Sequence, residues 1–165
     1  MALSLTNILS KDSVLSPVLC YSKKRVFEEI AKRASLKTKI PAMDLVFKLN
    51  KRESIGSTYV ANGFAMPHTI IPDTCKETAV FAVIQKSVHY NQFDNSYADI
   101  FLALFLHEST IQQERAYIEQ ISKILSDPSN TKHLRYISNI SIQVYSAVTA
   151  YCSLIEKDNN EVPNV

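Results

Sequence analysis

The sequence predicts a layered α/β domain, with a mixed central β-sheet flanked by helices. Two runs, Ala79–Gln85 (AVFAVIQ) and Ile100–Leu106 (IFLALFL), are apolar at nearly every residue. Such runs suit strands covered on both faces. Amphipathic helical patterns lie before and after them, so the sheet has layers to pack against. The strands do not alternate regularly with helices, which favours a mixed sheet over an all-parallel one.

The elements follow in chain order. Ser22 is placed to cap a helix over Lys23–Ala34, with Phe27, Ile30, Ala31 and Ala34 on one face. Pro41 suits the first turn of a second helix, running to about Arg52, with Met43, Val46, Phe47 and Leu49 as its apolar side. Ser57–Asn62 reads as a loop, and Phe64-Ala65-Met66 as a short strand closed by Pro67. After the two apolar strands, a long helix is expected over Thr110–Leu125. A shorter one starts at Asp127-Pro128 and runs to about Ile137, and a last amphipathic helix spans Ser141–Ile155. Tyr90, Phe93 and Tyr97 are expected in a loop between the strands, covering the core. The expected domain is 1–156, with a polar, flexible tail at 157–165.

Length and composition narrow the function. The 165 residues suit one domain with one sizeable core, and 46% apolar and 21% charged residues fit a globular chain. A net charge of +2, from 18 basic and 16 acidic residues, is too balanced to argue for nucleic acid or an anionic membrane. No apolar stretch is long enough to insert in a bilayer. The N-terminus lacks the basic-then-apolar pattern of a secretory signal. Three cysteines, Cys20, Cys75 and Cys152, without CxxC spacing argue against a disulfide framework and against a zinc site, which points to a reducing cytoplasm. Cys75 reads as a passive thiol.

Glycine usage is more pointed. The chain has only two, Gly56 and Gly63, where ordinary usage of about 7% would supply about a dozen. Both fall in the segment Arg52-Glu53-Ser54-Ile55-Gly56-Ser57-Thr58-Tyr59-Val60-Ala61-Asn62-Gly63-Phe64-Ala65-Met66-Pro67-His68. Pro67 fixes its own φ and pushes Met66 into extended backbone, so His68 is delivered on a stiff segment at a strand end. Strand ends of α/β sheets are where ligands usually bind. Upstream lie the hydroxyls of Ser57 and Thr58, the amide of Asn62 and the cation Arg52. A neutral imidazole is a nucleophile, and backbone N–H groups with an arginine hold phosphoryl oxygens. These parts fit phosphoryl transfer to histidine without demanding it, since a lone His after Pro is more often a surface or capping residue.

The string RES-x-G-S-T followed by N-G-F-A-M-P-H resembles the active-site segment of the enzyme IIA domains of the bacterial sugar phosphotransferase system, fructose–mannitol type (type 2). It is closest to the nitrogen-related branch, where patterns like RE-x-x-GST-x-x-x-NG-[IF]-A-[IM]-PH recur. Ser22-Lys23-Lys24-Arg25 matches the start of that family's first long helix, and Asp99–Leu106 resembles its D-L-L-F-A-L-L strand. Residues 5–150 can be laid along the family without a large gap.

The resemblance implies a mannitol-IIA-like fold with His68 as the phosphorylated residue, through Nε2. Arg52 would balance the phosphoryl charge, and Gly56, Ser57 and Gly63 would shape the surrounding loop together with Thr58 and Asn62. The implied donor is the histidine-containing phosphocarrier protein, and no metal or organic cofactor is implied. Two departures stand out. Thr69-Ile70 follow the His where relatives usually have Gly or Ala. Many relatives also carry a second His beside the active one, at a position where ungapped alignment puts Glu114. His107 is a possible substitute, whereas His89 and His133 read as surface residues. Asp94 and Asp99 read as cap and strand-edge residues.

The leading expectation is a regulatory IIA protein whose phosphorylation reports nitrogen or carbon status to protein targets. The alternatives are a transport IIA that passes phosphate to a IIB component of a fructose- or mannitol-type permease, and a binding module of the same fold that has lost turnover.

Overall fold

The computed structural model describes residues 2–160. In chain order the elements are α1 (Leu5–Ile8), a single 3-10 turn (Lys11–Ser13), β1 (Val14–Val18), α2 (Lys23–Thr38) and α3 (Ala42–Glu53). Four strands follow, β2 (Tyr59–Ala61), β3 (Phe64–Ala65), β4 (His68–Ile70) and β5 (Thr78–Asn91), then β6 (Ser96–Leu106). The chain closes with α4 (Glu108–Gln113), α5 (Arg115–Ser126), α6 (Pro128–Tyr136) and α7 (Ser141–Asn160).

The sheet is mixed, as the sequence predicts. Its order is β1-β5-β6-β3-β2, with β4 also paired to β6. The β5–β6 and β2–β3 pairs are antiparallel, and β1–β5, β3–β6 and β4–β6 are parallel. The apolar runs owe their lack of polar alternation to burial on both faces. On β5, Ala79, Phe81 and Val83 join one core while Val80, Ala82 and Ile84 join the other. On β6, Ile100, Leu102 and Leu104 alternate in the same way with Phe101, Ala103 and Phe105. Helices α5, α6 and α7 cover the first face through Ile121, Leu125, Leu134 and Val148; α2 and α3 cover the second through Phe27, Ile30, Leu45 and Leu49.

Several expectations change in detail. Both central strands are longer than their apolar runs, because Val88 and Tyr90 on β5 and Ala98 on β6 stay buried among polar neighbours. Tyr90 and Tyr97 therefore lie on strands, and only Phe93 sits in the connecting turn, fully exposed rather than covering the core. The helix expected over Thr110–Leu125 is two helices, interrupted at Glu114 where the backbone leaves helical geometry (φ −108°, ψ 20°). The buried face of α3 is Leu45 and Leu49, while Met43 and Phe47 are exposed. Helix α7 continues through Asn160, into the segment expected to be tail; residues 161–165 lie outside the described residues.

The stretch read as a loop is a β2–β3 hairpin with Asn62-Gly63 as its two-residue turn. Both turn residues have positive φ, 55° and 79°, the signature of the tight turns that match strand twist. A Cβ on Gly63 would collide with the Arg135 guanidinium and the Asp99 carboxylate, which pair through Nε–Oδ2 (2.7 Å) and Nη2–Oδ1 (2.9 Å). Gly56, by contrast, has open space around it and no positive φ. Only Gly63 therefore requires glycine. Gly63→Ala is expected to cost at least about 1–2 kcal/mol from its φ alone, lowering the melting temperature by about 3 °C or more. Gly56→Ala is expected to leave it unchanged, and calorimetry of the two variants checks the contrast.

Candidate functional site

His68 opens β4 because the chain crosses from β3 to β4 along a single neighbour, β6. Phe64 and Ala65 pair with Ile100 and Phe101, then His68 pairs with Leu104. The Met66-Pro67 link bridges the two, with the Pro67 carbonyl accepting from Leu104 N–H at 3.0 Å. Pro67 has no N–H to lose there.

The imidazole is held at both nitrogens. Nδ1 lies 3.0 Å from the Met66 carbonyl, which can only accept, so Nδ1 carries the proton. Nε2 then presents its lone pair, and Arg52 Nε–H donates to it at 3.2 Å. Burial is the main cause that pushes the His68 pKa below its ordinary value of 6.5; the Met66 hydrogen bond opposes this, the Arg52 charge adds to it, and Glu53 opposes it. His68 is thus a neutral, oriented nucleophile at pH 7.

Arg52 reaches this point from the last turn of α3, where the helix dipole favours cations. Its Nη1–H also donates to the Gly56 carbonyl at 2.8 Å, so the turn after the helix curls onto the guanidinium. Among the described residues Arg52 is in no ion pair. Its charge stands uncompensated beside Nε2.

The next residue, Glu53, turns inward and ties the loop down. Its side chain is 8% exposed. It accepts from Lys23 Nζ (3.0 Å), Tyr90 OH (3.0 Å), Thr58 N–H (3.2 Å) and the Thr58 hydroxyl. Lys23 also lies 4.0 Å above the Tyr90 ring centroid. Burial, reinforced by the Glu53 charge, drives the Tyr90 phenol upward, so it stays protonated and donates. A buried carboxylate with this many donors is a clamp rather than an acid. Sequence reasoning missed Glu53, Lys23 and Tyr90. Glu53 stood inside the recognised string, but nothing local linked it to residues 30 positions upstream and 37 downstream.

A groove of about 470 Å³ opens over His68, lined by Lys48, Lys51 and Arg52 and by the apolar side chains of Ile55, Ile70 and Ile111. Not every residue expected here is present. Asn62 and Gly63 sit at the Ile100 level of β6, four residues from the His68 level. That offset is about 13 Å along a strand. The Asn62 amide instead donates to the Ser126 carbonyl (2.9 Å) and its own carbonyl accepts from Arg135 (2.6 Å). Thr58 is buried on Glu53. The Ser57 hydroxyl accepts from Tyr59 N–H at 3.2 Å, and Gly56 contributes its carbonyl to Arg52.

His107 does not substitute for a second histidine, since its Nε2 bonds the Cys75 carbonyl (2.6 Å) and its backbone N–H bonds Glu77 (2.9 Å). His89 stacks on Tyr97 on the β-hairpin, and His133 lies on α6. Glu114 accepts from Leu3 N–H at 3.1 Å, and it is Ile111, earlier in the same segment, that lines the groove. Glu114→Gln is therefore expected to leave phosphoryl occupancy unchanged in titrations against phosphorylated carrier. It should cost only about 0.5–1.5 kcal/mol of stability through the weakened tie to Leu3.

Comparisons with known proteins agree with this architecture. The family model described as "Phosphoenolpyruvate-dependent sugar phosphotransferase system, EIIA 2" matches residues 7–148. The nitrogen regulatory protein of Klebsiella oxytoca is 29% identical over 135 residues, covering 81% of this chain and 83% of that one. Among solved structures, the nitrogen regulatory protein IIA-Ntr of Neisseria meningitidis superposes with a TM-score of 0.73 at 21% identity, covering 86% of this chain and 97% of the other. Enzyme IIA-mannitol of Escherichia coli, solved in complex with phosphorylated enzyme IIB-mannitol, has a TM-score of 0.66 at 12% identity, with 88% and 99% covered. With the family model spanning most of its length, the chain belongs to the EIIA 2 family of the phosphoenolpyruvate-dependent sugar phosphotransferase system.

Proposed function

We propose that this chain accepts a phosphoryl group on His68 Nε2 from the histidine-containing phosphocarrier protein, and that its phosphorylation state reports nitrogen or carbon status to protein partners. The observation that carries this reading is the pair of contacts on the imidazole. A carbonyl on Nδ1 fixes the tautomer, and an unpaired arginine lies at Nε2. In transfer, the carrier's N–P bond breaks as the Nε2–P bond forms, and the carrier's imidazole recovers its lone pair. Nδ1–H stays on the Met66 carbonyl throughout. Arg52 gives up its bond to Nε2 and turns its N–H groups to the phosphoryl oxygens, whose charge it offsets. No general base is needed, because Nε2 has no proton to lose.

The regulatory part of the reading is supported by the relatives named as nitrogen regulatory proteins. A second reading, donation to a IIB component, is favoured by the complex formed by the mannitol relative. Incubation with phosphoenolpyruvate, enzyme I and the carrier, followed by intact mass, tests the shared core of both. One acid-labile phosphoryl group is the expected product. Chase with an isolated IIB domain then separates the two, since the transport reading requires the label to move and the regulatory reading requires it to stay.

A further inference from the structure

The two contacts that fix the His68 ring both lead back to one carboxylate. On the Nδ1 side the ring donates to the Met66 carbonyl at 3.0 Å. The Met66 N–H donates in turn to the Thr58 carbonyl at 3.0 Å. The Thr58 N–H (3.2 Å) and hydroxyl both donate to Glu53. On the Nε2 side, Arg52 reaches the ring while its Nη1–H donates to the Gly56 carbonyl. Only Ser57 separates Gly56 from Thr58. Ser54, Ile55, Gly56 and Ser57 are all exposed, and Thr58 is the first buried residue after α3. The backbone bonds of the turn, Ile55 N–H to the Arg52 carbonyl and Gly56 N–H to the Glu53 carbonyl, reach only the helix end. The loop is therefore fastened to the body of the domain at Thr58. Glu53 is itself held from two other elements. Lys23 at the start of α2 supplies the opposite charge, and Tyr90 on β5 donates at 3.0 Å.

We propose that Glu53 is a positioning residue for phosphoryl transfer: by holding Thr58 it fixes the Met66 carbonyl at Nδ1 and the Gly56 carbonyl behind Arg52, and so sets both the tautomer of His68 and the place of the guanidinium. The inference rests on the reading of His68 as a phosphoryl acceptor, and adds what keeps that acceptor in its reactive form. Glu53 bonds Lys23, Thr58 and Tyr90 and not the ring, so its effect passes through the loop. With Thr58 released, the Met66 and Gly56 carbonyls would shift together. A neutral ring freed from Met66 can carry its proton on Nε2, which leaves no lone pair there for phosphorus. A supporting hydrogen bond of this kind matters because a misplacement of about 1 Å can cost about a hundredfold in rate.

The test compares wild type, Glu53→Ala, Glu53→Gln and Thr58→Val by two readings. Nitrogen-15 shifts of the His68 ring at about pH 8, where an imidazole is neutral, give the tautomer. Single-turnover transfer from the phosphorylated carrier, followed by intact mass over a range of carrier concentrations, gives a maximal rate and a half-saturating concentration. Wild type should hold the proton on Nδ1 alone. Glu53→Ala should show a mixture of tautomers, and its maximal rate should fall about tenfold or more with the half-saturating concentration unchanged. Glu53→Gln keeps one oxygen for Thr58 and should recover part of both readings, whereas a role through charge alone would leave it as poor as Glu53→Ala. Thr58→Val keeps the shape and both backbone groups, so it should melt near wild type and slow transfer several-fold; it carries the test with Glu53→Gln if Glu53→Ala does not fold. A merely structural role predicts lower melting temperatures with the wild-type tautomer and a rate within about threefold of wild type. That result in the folded variants, or a Glu53→Gln protein no faster than Glu53→Ala, would overturn the proposal. The tautomer is read without any donor. Failure of wild type to take up a phosphoryl group would therefore end the acceptor reading, while the ring shifts still decide whether Glu53 positions the imidazole.

Discussion

Replacement of His68 by Ala is expected to abolish acid-labile phosphorylation, while His89→Ala, His107→Ala and His133→Ala retain it. The other three imidazoles differ from His68 in kind. His107 is committed to the Cys75 carbonyl through Nε2. His89 lies against Tyr97, 5.0 Å between ring centroids, with no cation on its nitrogens. His133 lies on α6 beside Ile137 and Ile142, away from the α3 cations. Only His68 combines a fixed tautomer with an unprotonated Nε2 that a guanidinium contacts. Oriented placement supplies most of what this kind of transfer needs. The substitution should spare the fold, because His68 is only partly buried at the start of a three-residue strand. Stability should shift slightly with pH. In wild type the folded pKa lies below 6.5, so the unfolded chain binds the proton first. Stability is full above 6.5 and declines as pH falls towards the folded value. His68→Ala should lose that slope. Full labelling of the His68 variant by intact mass would end the acceptor reading.

The parts of the fold that could be read in advance were those governed by local pattern. The β5 and β6 cores announced themselves because burial on both faces removes polar residues from a strand. Helix α2 was legible through its Ser22 cap and one apolar face. The strands that escaped were short or disguised. β1 (VLSPV) contains a proline, tolerated because β1 is an edge strand paired only with β5. β4 follows Pro67 directly, and three residues carry no periodicity. The break at Glu114 was hidden because Ile111, Ile118 and Ile121 keep helical spacing across it and all pack on the same core, Ile111 while also lining the His68 groove.

At the site, His68 and Arg52 were legible as a spaced pair, but their neighbourhood was not. Asn62 and Gly63 lie in the recognised string for the sake of the hairpin turn that sends the chain back along β6. Their sequence proximity to His68 does not translate into spatial proximity, because the extended strand between them carries them away. Glu53 shows the converse. It is adjacent in sequence to Arg52 yet faces the opposite way, and its partners on α2 and β5 are revealed only when the sheet assembles.

Arg52→Ala is expected to slow transfer to His68 by about two orders of magnitude, equivalent to about 2.7 kcal/mol of barrier. Preorganised charge contacts elsewhere are worth this much when the charge they meet develops during the reaction. Here the guanidinium has two roles that the substitution would remove together. It faces the position where phosphoryl oxygens arrive, and it helps to keep Nε2 unprotonated beforehand. Burial is the larger cause of the lowered His68 pKa and the Arg52 charge a lesser one. Loss of Arg52 should therefore move the His68 pKa upward, towards 6.5. Wild-type transfer should stay level as pH drops to that value, whereas the variant should begin to lose rate at higher pH, as its acceptor protonates. Arg52→Lys is expected to recover little. An ammonium cannot span the Gly56 carbonyl and Nε2 at once as the guanidinium does at 2.8 and 3.2 Å. The fold should persist in both variants, since the clamp on the loop is Glu53 and not Arg52. Single-turnover rates across pH, paired with the NMR titration of the His68 ring, read both roles. A fall of less than threefold with an unmoved titration would leave Arg52 as no more than a cation at the end of α3.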